Sequence, residues 1–238
     1  MPVPADTVLV HIPTLPSIRS SENLSSSTSS KSNLAKGPVD AVIYRHGRVE
    51  DAPHMTEMQF SNYLFHYPGI APKFFLDTLD YPAMTAKHAK QMAPPVDERP
   101  MAYVVAERQN HETGEGEVIG MSQAMVPDWE RAYNHRWNPG WEYDSFDCEI
   151  DTLYVKLGVQ GGGVGRKLIL GACQEGYDRF KMRKGVIIWT LLENLQAHSF
   201  YRRIGCELAG IRTIDLSGCP AECAGFAFRD IEQVIGKK

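Results

Sequence analysis

The chain has 238 residues, of which 43% are hydrophobic and 23% charged, with a formal net charge of -4 at pH 7. That length can bury a substantial core, and its interspersed charges include no basic block, so nucleic acid and anionic membrane surfaces are poor partners. No apolar run approaches a membrane span, the cysteines (Cys148, Cys173, Cys206, Cys219, Cys223) have neither zinc nor disulfide spacing, and the histidines are scattered; a reducing, cytoplasmic or nuclear setting and no metal are expected.

Residues 1–37 begin with proline-punctuated apolar letters and pass into a serine tract from Ser20 to Ser32. Such a tract has too little apolar surface to offset its ordering entropy, so a flexible leader is expected, with Val8–Val10 able to dock as an edge strand and a transit-peptide reading left open by the few acids. One folded domain is expected over 38–238. Ala41–Tyr44 reads as its first strand. A helix then opens at Val49–Asp51, where Met55, Met58, Phe60, Tyr63 and Leu64 recur at roughly helical spacing and Asp51 or Thr56 can cap. Helices over Pro72–Leu79 and Tyr81–Met92 follow, then a linker at 92–96. Met101–Glu107 and Glu117–Val126 read as a strand pair with a turn-rich connection.

The segment from Pro127 to Phe146 combines aromatics with Asp128, Glu130, Glu142 and Asp144. A loop of about twenty residues is long for a compact domain, which suggests either a lid that packs for stability or a functional loop. Aromatic faces with carboxylates favour a cation, so Trp137 and Trp141 are candidate contacts for an amine. Next comes an apolar, β-prone run ending in Leu153-Tyr154-Val155, then a glycine-rich loop, then a helix with Val164, Ile169, Cys173, Tyr177 and Phe180 on one face. Gly185–Leu192 is apolar on both faces and reads as a buried parallel strand. Asn194 can cap a helix presenting Ala197, Phe200, Tyr201 and Ile204, and Gly205 ends it. Glu207–Asp215 and Ala224–Asp230 finish the chain as a hairpin around Gly218. The class is α/β, with a mixed, largely antiparallel sheet.

The glycine loop carries the chemistry. In Gln160-Gly161-Gly162-Gly163-Val164-Gly165 the backbone is free to converge its N–H groups, and the following helix adds unpaired N–H groups and a positive dipole end, so phosphate is the natural occupant. A Walker loop fails because Gly165 is followed by Arg166, Lys167 and Leu168, with no hydroxyl for magnesium. A dinucleotide fingerprint fails because Arg166 and Leu168 stand where glycine is required. Gln-x-x-Gly-x-Gly does fit, and it resembles the coenzyme A loop of the GNAT superfamily of N-acetyltransferases. Asn194-x-x-Ala197-x-x-x-Tyr201-x-x-x-Gly205 is similar to a second segment of that family, at a separation suited to one helix and one strand.

The resemblance implies a twisted sheet of six to seven strands flanked by helices, with acetyl-coenzyme A lodged where two central parallel strands part. It implies that Gln160, Gly161, Gly162, Gly163, Val164, Gly165 and Arg166 hold the pyrophosphate, that Leu153, Tyr154 and Val155 pair with the pantetheine arm beside a strand bulge, and that Asn194 touches the cofactor or caps. Tyr201 occupies the position that protonates the departing thiolate. For the amine proton the candidates are Glu149 and Asp151, which a strand period of two puts on the face of Leu153; Glu149 matches the family's base-like carboxylate. The first helix is expected beside the acceptor site. The expected activity is acetyl transfer to a primary amine of a small molecule, by a monomer or homodimer. Open alternatives are a module that binds acyl-coenzyme A without turnover and an enzyme acting on protein lysine or N-terminal amines.

Overall fold

The computed structural model describes residues 41–93, 100–110 and 112–237. The expected leader and the Pro94–Val96 part of the linker lie outside the described residues. Strands β1 (Ala41–His46), β2 (Met101–Gln109), β3 (Gly116–Met125), β4 (Ala132–Trp137), β5 (Phe146–Val155), β6 (Gly185–Leu191), β7 (Glu207–Leu216) and β8 (Cys219–Phe228) form one sheet in the order β1-β2-β3-β5-β6-β8-β7-β4. Every neighbouring pair is antiparallel except β5 and β6. The apolar two-faced run of β6 is thus the buried parallel neighbour its composition predicted.

Eight strands rather than six or seven arise because the 127–146 segment is not a loop throughout. Ala132↔Ile214 and Trp137↔Gly210 pair β4 to β7 at the sheet edge. An edge strand with interrupted pairing needs little apolar alternation, so Ala-Tyr-Asn-His-Arg-Trp carries no clear strand signal.

Helices α4 (Val164–Phe180), α5 (Leu195–Arg203) and α6 (Ile231–Val234) cover one face, where Leu168, Ile169, Tyr201 and Ile231 pack on Val104, Ile119, Cys148, Ile150 and Phe226. The other face carries α1 (Ala52–His66), α2 (Lys73–Asp77) and α3 (Tyr81–Met92), with Met55 and Met58 against Tyr103, Val105 and Met121. Asp51 precedes α1 but makes no side-chain cap; its carboxylate instead receives Arg45 at 2.7 and 2.9 Å. Asp80 does cap α3, accepting from the Ala83 N–H at 2.9 Å.

Two irregularities coincide at the centre of the sheet. Parallel pairing of β5 with β6 runs from Phe146↔Gly185 to Ile150↔Ile188 and stops, although both strands continue. Against β3, Ile150 faces Ala124 and Thr152 faces Gln123, which leaves Asp151 as an inserted bulge residue. A bulge shifts the alternation by one. Cys148 and Ile150 face α4 before it, and Leu153 and Val155 face α4 after it. The sheet therefore opens between its central strands at the place where β5 changes which side chains it presents.

Candidate active site

The opening between β5 and β6 is a cavity of about 560 Å³, walled by Leu153 and Val155 of β5, Ile188 and Thr190 of β6, the glycine loop and α5. Gly161 (φ 89°) and Gly163 (φ 81°) adopt left-handed backbone, and nothing lies within 4 Å of where a Cβ would stand on either. Gly163 is the N-cap of α4, and its carbonyl accepts from the Lys167 N–H, so the N–H groups of 163–166 precede the helical ladder. Gly165 lines the cavity and also serves packing, since a Cβ there would stand 3.3 Å from the Phe200 ring and its absence lets α4 approach α5. Val164 and Arg166 line the cavity beside these glycines, whereas Gly162 does not. An open, anion-favouring cradle at the mouth of an apolar slot fits a nucleotide joined to a long thin arm.

Asn194 and Tyr201 reach this cavity from α5. The Asn194 side chain accepts from the Ala197 N–H at 3.1 Å, so it caps the helix while lining the wall. Tyr201 packs its ring against Phe200 and Phe226, and burial pushes its hydroxyl above the usual phenol range. It is held protonated, as a proton donor must be. Gln160 ties the loop to α1, its amide lying 3.4 Å from both Asn62 Oδ1 and the Val155 carbonyl.

A second cavity, of about 400 Å³, adjoins the first on the α1–α3 side and shares Asp151 and Tyr154 with it. Its walls include Tyr63 of α1, Phe75 of α2, His88 of α3, Tyr103 of β2 and Ser217 of the β7–β8 turn. That turn puts Ser217 (φ 54°) and Gly218 (φ 84°) both in left-handed backbone, the two-residue hairpin geometry that fixes where Ser217 stands. His88 Nε2 is 2.9 Å from Gln59 Oε1 and Nδ1 is 3.1 Å from the Tyr103 hydroxyl. Burial, with a smaller push from Lys87 against the pull of Asp151, brings its pKa down to about 4, so the ring is neutral at pH 7. Helical spacing places Tyr63 on α1, but Asp80 and His88, which also line this space, carry no local signal of it in the sequence.

The two carboxylates of β5 part company. Asp151, the bulge residue, lines both cavities, and Glu149 lines neither. The expectation that both share the face of Leu153 fails because the inserted residue flips the alternation between them. Glu149 is 1% exposed and accepts from Arg212 Nη2 at 3.2 Å, with the guanidinium 4.4 Å above the Trp189 ring. The bulge itself is at Asp151, not at Leu153–Val155, which pair regularly with Ser122–Gly120.

Trp137 and Trp141 line neither cavity. Trp141 stacks on Phe146 at 5.3 Å and Trp137 packs on Phe146 and Trp189, because pairing of β4 with β7 draws the segment onto the far end of the sheet. The aromatic segment is a packed cover there, so the amine contacts expected of Trp137 and Trp141 are not placed beside either cavity. Among the described residues no group of three or more His, Cys, Asp or Glu is placed to hold a metal ion, and no helix is long and apolar enough to cross a membrane.

The model of the acetyltransferase (GNAT) family matches residues 72–206. The chain belongs to this family. It is an acetyl-coenzyme A dependent acetyltransferase, and the parted-strand sheet is the GNAT fold. A mutant of the spermidine N-acetyltransferase SpeG from Vibrio cholerae is 13% identical, covering 82% of this chain and 97% of that one, with a TM-score of 0.52. The ribosomal-protein-alanine N-acetyltransferase from Brucella melitensis is 19% identical over 78% of this chain and 98% of that one, at 0.50. The PaiA N-acetyltransferase from Thermoplasma acidophilum, solved with coenzyme A, is 14% identical over 79% and 99%, at 0.51. At such identities the likeness establishes the fold. No curated protein matches the sequence.

Proposed function

We propose that this GNAT enzyme acetylates the primary amine of a small molecule, which enters through the second cavity and meets the thioester at Asp151. The observation that carries this reading is the junction itself: two cavities, one with an anion cradle, the other walled in part by α1–α3, share Asp151 and Tyr154. A pocket of about 400 Å³ suits a small amine better than an extended peptide. Bound acetyl-coenzyme A supplies an acetyl group activated as a thioester. Gly161, Gly163, Gly165 and Arg166 hold its phosphates, with Gln160 and Val164 shaping the loop. Leu153–Val155, which lie past the last pairing of β5 with β6, pair with its arm.

Asp151 draws the ammonium to the junction and takes its first proton, which frees the nitrogen lone pair for attack. The faces of Tyr63, Phe75, Tyr103 and Tyr154 stabilise the cation before that proton leaves. Tyr201 supplies the proton that the departing sulfur needs. A coenzyme A release screen with 1,4-diaminobutane, tyramine, free amino acids and lysine peptides tests the reading. Turnover of the small amines well above the peptides is expected, and turnover confined to peptides would move the acceptor to protein.

A further inference from the structure

Pairing of β5 with β6 ends at Ile150↔Ile188, and the next residues on the two strands are Asp151 and Trp189. Both line the first cavity, so they stand at one level on opposite lips of the opening. Side chains of β6 alternate across the sheet: Val186 and Ile188 join the core beneath α4, while Ile187 and Trp189 pack with Trp141 and Phe146 on the other face. The indole therefore lies on the face that carries α1–α3, where it packs with Tyr67 and Phe75 around Ala71 and Leu191.

The ring is braced from three strands. Its six-membered edge rests on β8 at Gly225, where a Cβ would stand 2.6 Å from Cζ3 and 2.8 Å from Cη2, so a side chain at 225 would dislodge it. The Arg212 guanidinium of β7 lies 4.4 Å over the ring and is itself held by Glu149 at 3.2 Å. From β4, the rings of Trp137 and His135 close in at 5.9 and 6.0 Å. A close-packed wall of this kind resists displacement, because moving one side chain means moving its neighbours.

Resting on the meeting of thioester and amine at Asp151 proposed above, we propose that Trp189 limits the acyl group of the donor to acetyl. An acyl carbon that meets the amine at Asp151 has the indole across the opening. A methyl group fits the space that remains, and each further methylene is driven against the ring. In an apolar pocket one methylene is worth roughly 10–200-fold in discrimination. The indole yields to it only by disturbing Arg212, which is buried in its pair with Glu149.

The experiment measures binding by calorimetry, with no amine present, of coenzyme A and of its acetyl, butanoyl and hexanoyl thioesters to the unchanged protein, Trp189→Leu and Trp189→Phe. Coenzyme A itself reports the state of the cleft without an acyl group. The unchanged protein is expected to bind the two longer thioesters at least roughly tenfold more weakly than acetyl-coenzyme A. In Trp189→Leu that gap should largely close while coenzyme A binds as before, and Trp189→Phe should fall between. Equal affinity of the unchanged protein for all the thioesters overturns the assignment, as does an undiminished preference for acetyl in both variants. Loss of coenzyme A binding by both variants overturns it as well, because the indole would then support the cleft rather than select its contents. No amine enters the comparison, so failure of the small-amine reading in the release screen leaves this outcome standing.

Discussion

Glu149 and Arg212 form an ion pair at 3.2 Å across 63 residues of sequence, with side chains 1% and 6% exposed. The carboxylate position that the family pattern suggested for a base is committed to holding β5 to β7 beneath Trp189. Removing one partner of a buried pair leaves the other charge without compensation and costs about 3–5 kcal/mol. Glu149→Ala is expected to lose stability on that scale in urea unfolding, while Asp151→Asn keeps its stability and loses kcat. The reverse pattern would return the base to Glu149.

Tyr201→Phe removes a hydroxyl and keeps the ring volume packed against Phe226. We expect kcat to fall by roughly tenfold to a thousandfold, with acetyl-coenzyme A affinity by calorimetry unchanged. Normal turnover would assign the sulfur's proton to water or to another acid. Retained binding in a wild-type enzyme that acetylates no amine would favour a sensing module.

Gly163→Val places a β-branched side chain at φ 81°, which costs about 1–2 kcal/mol in backbone alone, and fills the cradle. A folded variant whose melting temperature no longer rises with acetyl-coenzyme A is expected, whereas the unchanged protein is stabilised by that ligand and not by ATP. An undiminished shift in the variant would place the phosphates elsewhere.

His88 gives the fold an acid-sensitive point. The unfolded chain binds a proton on such a ring near pH 6.5, but the folded chain does so only near pH 4. Between those values the unfolded state carries more protons, so stability falls as pH falls, by about 3 kcal/mol in total across the window. Above pH 6.5 this contribution is level. Urea midpoints from pH 7 down to pH 4 should decline more steeply for the unchanged protein than for His88→Gln, and equal slopes would refute the assignment.

Whatever is settled between neighbours in the chain can be read from its letters. Gly161 to Arg166 and the helix behind them are contiguous, so their backbone freedom and unpaired N–H groups follow from residue type, and the Asn194–Gly205 helix presents Tyr201 for the same reason of local periodicity. Which carboxylate faces the cleft is settled only in the folded sheet. One residue inserted at Asp151 against β3 reverses the period-two alternation, and no letter of β5 marks that shift, because a bulge is a property of the pairing of two strands rather than of one. The same holds for Arg212 beside Glu149, for β4 on the edge of β7, and for the second cavity, which Asp80, His88, Tyr63 and Ser217 reach from separate parts of the chain. Side chains far apart in sequence meet only when the sheet has closed and its helices have packed, and the second cavity is built from such meetings.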